Sequence, residues 1–254
     1  MDKAEFDLHA DVEQRHWWFT GRRRIMQRLI HELSPPNADH VVVDIGCGTG
    51  ANIGSLADSY RAIGVDASSY AIDHARRAFP AVEFHCTEDD AVLAGLVQQA
   101  NVVTIMDVLE HVPDDYEMLS KLLSHAQPGT HFLITVPANL ALWSKHDEAF
   151  GHYRRYDAEQ LEDVWTGLDV ECRLLSYFNA RLYPIVRMLR DRQKQREAAT
   201  DQHESDLKIP LAPLNATLHT IFAGESGRLR SALRSEKAMP YRQGVSLIAV
   251  LQRG

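Results

Sequence analysis

The chain has 254 residues, of which 27 are Lys or Arg and 35 are Asp or Glu, for a formal net charge of −8. That balance excludes a protein built to coat nucleic acid, and 45% apolar with 24% charged residues suits an ordinary globular core. Three cysteines, Cys47, Cys86 and Cys172, form no CxxC pair and read as reduced thiols of a cytoplasmic protein. The N-terminal residues are polar, with no signal-peptide pattern. No apolar run approaches the roughly 20 residues of a spanning helix.

Residues 1–37 read as helical: Ile25, Met26, Leu29, Ile30 and Leu33 repeat at a helical period, and Ser34-Pro35-Pro36-Asn37 stops the run. Strands are expected at Val41–Ile45, Ala62–Val65, Val82–Cys86, Val102–Met106 and His131–Val136. Helices are expected between them at Ile53–Tyr60, Tyr70–Phe79, Ala91–Gln99 and Tyr116–Ala126. Such apolar strands alternating with helices indicate a parallel sheet covered on both faces. Beyond Pro137 a helix is expected at Ala158–Thr166 and strands at Val170–Ser176 and Val245–Gln252. The intervening 178–243 is not needed to complete the sheet, and Gln193 to Asp206 reads as a mobile polar loop.

In Val41 to Gly50 (VVVDIGCGTG) a strand runs into glycines 46, 48 and 50 with helix-compatible sequence behind them. Glycine permits a tight turn and close approach to a ligand, and the following helix start favours anionic groups. The loop alone fits a tight turn, a nicotinamide or flavin fingerprint ending at Ala51, or an S-adenosylmethionine loop. Asp66, at the end of the second strand, is placed to take ribose hydroxyls in either cofactor. Asp44 separates the two: a carboxylate two residues before Gly46 would repel a pyrophosphate and suit a methionine ammonium and sulfonium.

With Gly64-Val65-Asp66 and Asp107-Val108-Leu109-Glu110-His111-Val112, this pattern resembles the class I S-adenosylmethionine-dependent methyltransferases. It is most similar to a bacterial branch carrying His16-Trp17-Trp18-Phe19-Thr20-Gly21-Arg22-Arg23 and Gly151-His152-Tyr153-Arg154-Arg155-Tyr156. The resemblance implies a Rossmann-like α/β fold with a seven-stranded, mostly parallel sheet, an antiparallel last strand and helices on both faces. It implies one methyltransferase domain over 1–254: an N-terminal helical lid at 1–37, a core of 38–177 with 244–254, and an insert at 178–243. Cofactor contacts are expected from Asp44, Gly46, Cys47, Gly48, Asp66 and Ala67, from Glu88 and Asp89 toward the adenine, and from Asp107 and Val108 toward the methionine. Cys47 reads as a small filler in the loop, since no basic partner adjoins it.

Three consecutive aromatic residues cannot share one helix face, so some of them should cover a ligand or another element; the favoured reading is a lid over the cofactor, against a core-packing helix with solvated arginines. In the lid reading Trp17 contacts the cofactor, and Arg22 or Arg23 pairs with its carboxylate through the planar guanidinium fork. Methyl transfer to a hydroxyl calls for a base. His111, His146 and His152 are the candidates, with His152 favoured, and Arg154, Arg155, Tyr156 and Trp143 are expected to bind the acceptor. A competing reading makes Gly151 to Tyr156 a structural clasp between this loop and the helix at Ala158–Thr166. No HExxH or Cys/His ligand pattern occurs among the 13 histidines, so no metal is expected.

The expected function is an S-adenosylmethionine-dependent methyltransferase of a small-molecule or glycan/lipid-linked acceptor, methylating oxygen. N- or C-methylation and a non-catalytic cofactor-binding partner protein stand as alternatives. Apolar residues interleaved with arginines through 181–222 read as a cap over the acceptor, a homodimer contact or a peripheral membrane contact on the cytoplasmic face.

Overall fold

The computed structural model describes residues 12–197, 209–235 and 239–254, except the side chains of His146, Arg196 and Glu197. After a helical turn over 12–15 come α1 (Trp17–Leu33), β1 (Val41–Ile45), α2 (Ala51–Gly54), β2 (Arg61–Asp66), α3 (Ser69–Ala78) and β3 (Glu83–Cys86). Then follow α4 (Asp90–Gln98), β4 (Val102–Met106), α5 (Asp115–His125), β5 (His131–Pro137), α6 (Lys145–Ala149) and α7 (Ala158–Asp163). The remainder is β6 (Val170–Phe178), α8 (Tyr183–Glu197), α9 (Ala212–Ala223), α10 (Ser226–Ser235) and β7 (Ser246–Arg253).

The seven strands form one sheet in the order β3-β2-β1-β4-β5-β7-β6. The first five are mutually parallel, with Val42 opposite Ala62 on one side and Val102 on the other. β7 runs antiparallel between β5 and β6, its Ala249 opposite both Ile134 and Leu175. This is the Rossmann-like architecture expected from the sequence, including the reversed last strand.

Alternation along the strands builds two cores. Val41, Val43 and Ile45 face one side with Leu119, Leu122 and Phe132, while Val42 and Leu133 face the other with Ile25, Leu29 and Ile72. Period-two side-chain direction explains the division, and cover on both faces explains why every β1 residue is buried. The helices start on local caps: Ser68 accepts Ala71 N–H, Asp114 accepts Glu117 N–H, and Asp157 with Gln160 forms a reciprocal capping box.

Three expectations change. The helix expected at Ile53–Tyr60 is a single turn, Ala51–Gly54, followed by turns. There Ser55 N–H and Leu56 N–H bond three residues back, and Ser55 Oγ donates to Asn52 O at 2.6 Å, competing with helix continuation. Likewise α7 stops at Asp163 instead of Thr166, ahead of left-handed Gly167. The polar stretch expected to loop from Gln193 is helical to Glu197. Its Arg, Lys, Gln and Glu residues are good helix formers, and Arg190 donates to Gln193 at 3.0 Å. Pro184 sits in the first turn of α8, where a missing N–H costs nothing. The rest of the expected loop lies outside the described residues.

The lid is tied to the insert. Trp17 N–H donates to Asn215 Oδ1 at 2.9 Å, and Asn215 Nδ2 returns to Arg15 O at 2.8 Å. α9 and α10 thereby lie along α1 over the second core.

Candidate active site

The sheet order reverses at β1, whose neighbours are β2 and β4, and open α/β sheets bind ligands beyond such a carboxyl-end switch point. A cavity of about 460 Å³ lies there, walled by the glycine loop, the lid, the segment after β4, the loop after β5, the end of β6 and α8.

Gly46 and Gly48 both stand at positive φ, 72° and 53°. A Cβ at Gly46 would come within 2.4 Å of Val108 Cγ2, whereas one at Gly48 would meet nothing within 4 Å among the described residues. Gly46 therefore lets the loop close against the β4 end, and Gly48 leaves open the space a ligand needs. Asp66 turns back to shape this loop, accepting Gly48 N–H at 2.9 Å and Ser68 N–H at 2.8 Å. Cys47 lines the cavity, and burial pushes its thiol well above the ordinary range. Asp44 lies just behind the loop, fully buried, with Oδ1 accepting the Thr104 hydroxyl at 2.6 Å and Oδ2 without a partner among the described residues. Burial raises its pKa to about 7 against the lowering effect of Thr104.

The N-terminal segment packs on the loop from the other side. Thr49 Oγ1 donates to the Glu13 carboxylate, and Trp17, Trp18 and Phe19 line the cavity together. Arg22 is buried among them with its Cζ 4.2 Å from the Trp18 ring centre, and it pairs with Asp107. Burial lowers its pKa to about 10. Arg23 donates instead to Glu13 O at 3.1 Å and does not line the cavity. Of the adenine-side candidates, Ala67, Glu88 and Asp89 are exposed, and Asp89 caps α4 through Ala91 and Val92 N–H.

His111 and His152 meet edge to face with ring centroids 4.6 Å apart, and both line the cavity. His152 Nδ1 is 2.9 Å from Asp147 Oδ1. That carboxylate is fully buried and also takes Arg155 Nε–H, Arg155 Nη2–H and the Ser144 N–H and hydroxyl. Burial alone would raise the Asp147 pKa, but the hydrogen bonds from His152 and Arg155 outweigh it and hold the carboxyl well below the usual range. In a neutral imidazole, an acceptor-only carboxylate puts the proton on Nδ1 and the lone pair on Nε2. Burial, then the nearby His152, keeps the His111 pKa below its ordinary value.

Glu110 is fully buried with both carboxylate oxygens unpartnered among the described residues, and burial raises its pKa to about 8. One ligand atom each from Glu110, His111 and His152 lie within 4.8 Å of one another, a spacing one divalent cation could bridge. The 41-residue gap between the histidines hid this grouping from the sequence reading.

The basic and aromatic residues after β5 divide. Arg155 turns inward to Asp147, whereas Arg154 and Tyr156 both hold Asp115 at 2.7 Å. Those two tie this segment to the start of α5, and Tyr156 also shares a core with Leu161 of α7. Trp143 is half-buried beside Glu148, at 3.4 Å. His146 lies in α6, but its side chain is outside the described residues. Glu13, Asp147 and Asn179 were not singled out by the sequence. Asp147 follows His146 directly and precedes His152 by five positions, the one legible hint of the pair.

The fold and this site define a Rossmann-like methyltransferase domain. Residues 18–182 match the family model described as a methyltransferase domain, and the chain belongs to that family. A probable S-adenosylmethionine-dependent methyltransferase of Mycolicibacterium smegmatis is 27% identical over 177 residues, 67% of this chain and 66% of the relative. A ubiquinone biosynthesis O-methyltransferase of Cupriavidus pinatubonensis is 30% identical over 155 residues, 55% of this chain and 61% of the relative. The chain thus spans about three fifths to two thirds of the curated relatives it matches. Among solved structures, the plantazolicin methyltransferase BpumL bound to SAH superposes with TM-score 0.59 at 16% identity, covering 100% of this chain and 91% of that one. A Haemonchus contortus phosphoethanolamine N-methyltransferase bound to S-adenosyl-L-methionine gives 0.52 at 17% identity, covering 90% and 52%.

Proposed function

We propose that the protein transfers a methyl group from S-adenosylmethionine to a hydroxyl of a small-molecule or glycan/lipid-linked acceptor, with His152 as the base. The observation that carries this is the His152–Asp147 pair at a cavity beside an open glycine loop. The residues fit the cofactor: Gly46 to Gly48 would cradle it, Asp66 with the exposed Ala67, Glu88 and Asp89 would take the adenosine, and Arg22 with Asp107 would hold the methionine end. When bound, the cofactor supplies an electrophilic methyl group. Trp17, Trp18 and Phe19 exclude water above it, which strengthens the polar interactions beneath. Asp147 keeps the His152 proton on Nδ1, and Nε2 accepts the proton of the acceptor hydroxyl as the oxygen is aligned for displacement. The O-methyltransferase relatives support oxygen as the acceptor atom.

Calorimetry with S-adenosylmethionine against NAD, then homocysteine-product release across an acceptor panel, tests the reading. His152→Ala and His152→Gln should each lower turnover at least 100-fold with cofactor affinity intact. Near-normal turnover in either removes the base role.

A second observation favours work at a membrane surface. Ile185, Met188 and Leu189 are 51%, 44% and 55% exposed on α8, and Leu189 also lines the cavity. With Arg187, Arg190 and Arg192 they form an apolar and basic surface at the cavity wall, suited to a lipid-linked acceptor on an anionic leaflet. No helix among the described residues is long and apolar enough to cross a membrane. Liposome flotation with and without anionic lipid tests this, and absence from both fractions sinks it.

A further inference from the structure

The cavity holds a second fully buried polar side chain that the fold does not satisfy. Asn179 directly follows β6, is 1% exposed, and lines the cavity. Neither its Oδ1 nor its Nδ2 has a hydrogen-bond partner among the described residues. Its backbone stands at φ 52°, a left-handed conformation. The adjoining corner is held independently of the amide: buried Glu225 accepts Arg181 N–H at 2.8 Å. Glycine would meet the backbone requirement without burying an amide, so the side chain needs its own explanation.

We infer that Asn179 is a specificity-determining residue that grips a neutral polar group of an elongated acceptor, far from the hydroxyl that is methylated. The inference rests on the reading above, in which His152 marks the reacting end. A carboxamide offers one donor group and one acceptor atom. A ligand carboxylate would leave its oxygen unanswered, and an ammonium would leave its NH₂ unanswered. A hydroxyl or a second amide answers both. Val186 and Leu189 of α8 give this end an apolar wall, and Ser246 adds a further small polar group.

The sheet sets the length. Glu110, His111 and His152 cluster beyond β4 and β5, while Asn179 stands at the end of β6, and the order β4-β5-β7-β6 puts three strand spacings between β4 and β6. Counted from β5, which His152 follows, the separation is two spacings, so the two ends stand about 10 to 14 Å apart along the sheet edge. One six-membered ring does not bridge it. The acceptor is therefore two linked rings or their equivalent, with a hydroxyl at one end for His152 and a hydroxyl or amide at the other for Asn179.

The test uses the whole protein saturated with SAH and three probes followed by ligand-observed NMR: N,N′-diacetylchitobiose as the saccharide, resveratrol as the two-ring phenol, and 3,4-dihydroxybenzoate as the single ring. Asn179→Gly suits the left-handed backbone, and Asn179→Asp keeps an acceptor atom while losing the donor. One two-ring probe should bind the wild type and weaken at least tenfold in both variants, with SAH affinity within twofold and no fall in Tm for Asn179→Gly. Which two-ring probe binds separates a saccharide from a polyphenol. The inference is overturned if neither two-ring probe binds, if both variants bind as the wild type does, or if Asn179→Gly lowers Tm and so reveals an amide that holds the fold. Failure of the wild type to bind SAH at all overturns the cofactor reading beneath it. SAH binding without any two-ring binding overturns only the role of Asn179.

Discussion

His152 and Arg155 share one oxygen of Asp147, at 2.9 and 2.8 Å, so a single buried carboxylate both orients an imidazole and neutralises a guanidinium. Asp147→Asn keeps the shape and removes the charge, leaving Arg155 buried without its counterion. The expected cost is about 3 kcal/mol of stability with a loss of turnover greater than that of cofactor affinity. Urea unfolding and steady-state kinetics would check it. Because the folded pKa of Asp147 is depressed, its contribution is present above the unfolded value near 4 and fades as pH falls below it.

Glu110 carries the opposite sign. Burial raises it to about 8, while an unfolded glutamate ionises near 4. Between those values the folded protein keeps a proton that the unfolded chain has lost, so stability falls as pH rises from about 4 to about 8. Asp44, raised to about 7, adds to the same trend over a narrower range. Glu110→Gln should flatten the slope by up to about one proton. Urea midpoints at pH 5 and pH 8 for both proteins give the answer, and equal slopes would refute the protonated Glu110.

The two loop glycines should fail differently. Gly46→Ala pushes a Cβ to 2.4 Å from Val108 at φ 72°, and a loss of about 2 kcal/mol or more in stability is expected. Gly48→Ala meets open space and bears only left-handed strain of about 1 kcal/mol. Its methyl enters the ligand space, so cofactor affinity should fall at least tenfold while the fold persists. Thermal melts beside calorimetry separate the two, and a Gly48→Ala variant that binds normally would place the cofactor elsewhere.

Arg22 stands between the lid and Asp107, stacked on Trp18. Arg22→Lys retains a charge without the fork, and Arg22→Ala removes both. Cofactor affinity should drop about tenfold in the first, with a larger drop in the second. Unchanged affinity in Arg22→Ala would leave this arginine with a purely internal role.

Much of this architecture was legible in the sequence because it rests on local signals. Val41 to Gly50 announces a strand and a tight loop within ten residues, and the apolar β4 and β5 read directly as buried strands. Boundaries failed where side chains competed with the backbone, as Ser55 does after α2, or where polar residues with good helix propensity looked like loop, as in α8. The site was legible only where one segment carried it. Glu110 and Asn179 owe their settings to where the sheet ends meet, and no spacing along the chain reports that, whereas Asp147 is held from within one short segment, Ser144 to Arg155. Arg154 and Arg155 show the same limit: adjacent and chemically identical, one holds Asp115 and the other Asp147.

β7 lies antiparallel between β5 and β6, although it is the last of the seven strands along the chain. A growing chain can pair β1 to β5 as they emerge, yet β6 has no neighbour in the sheet until β7 arrives. Asn179, at the end of β6, shares that wait. The glycine-loop side of the cavity is therefore assembled from early sequence and the Asn179 side from late sequence. During synthesis the protein should acquire its glycine loop well before Asn179 reaches its place.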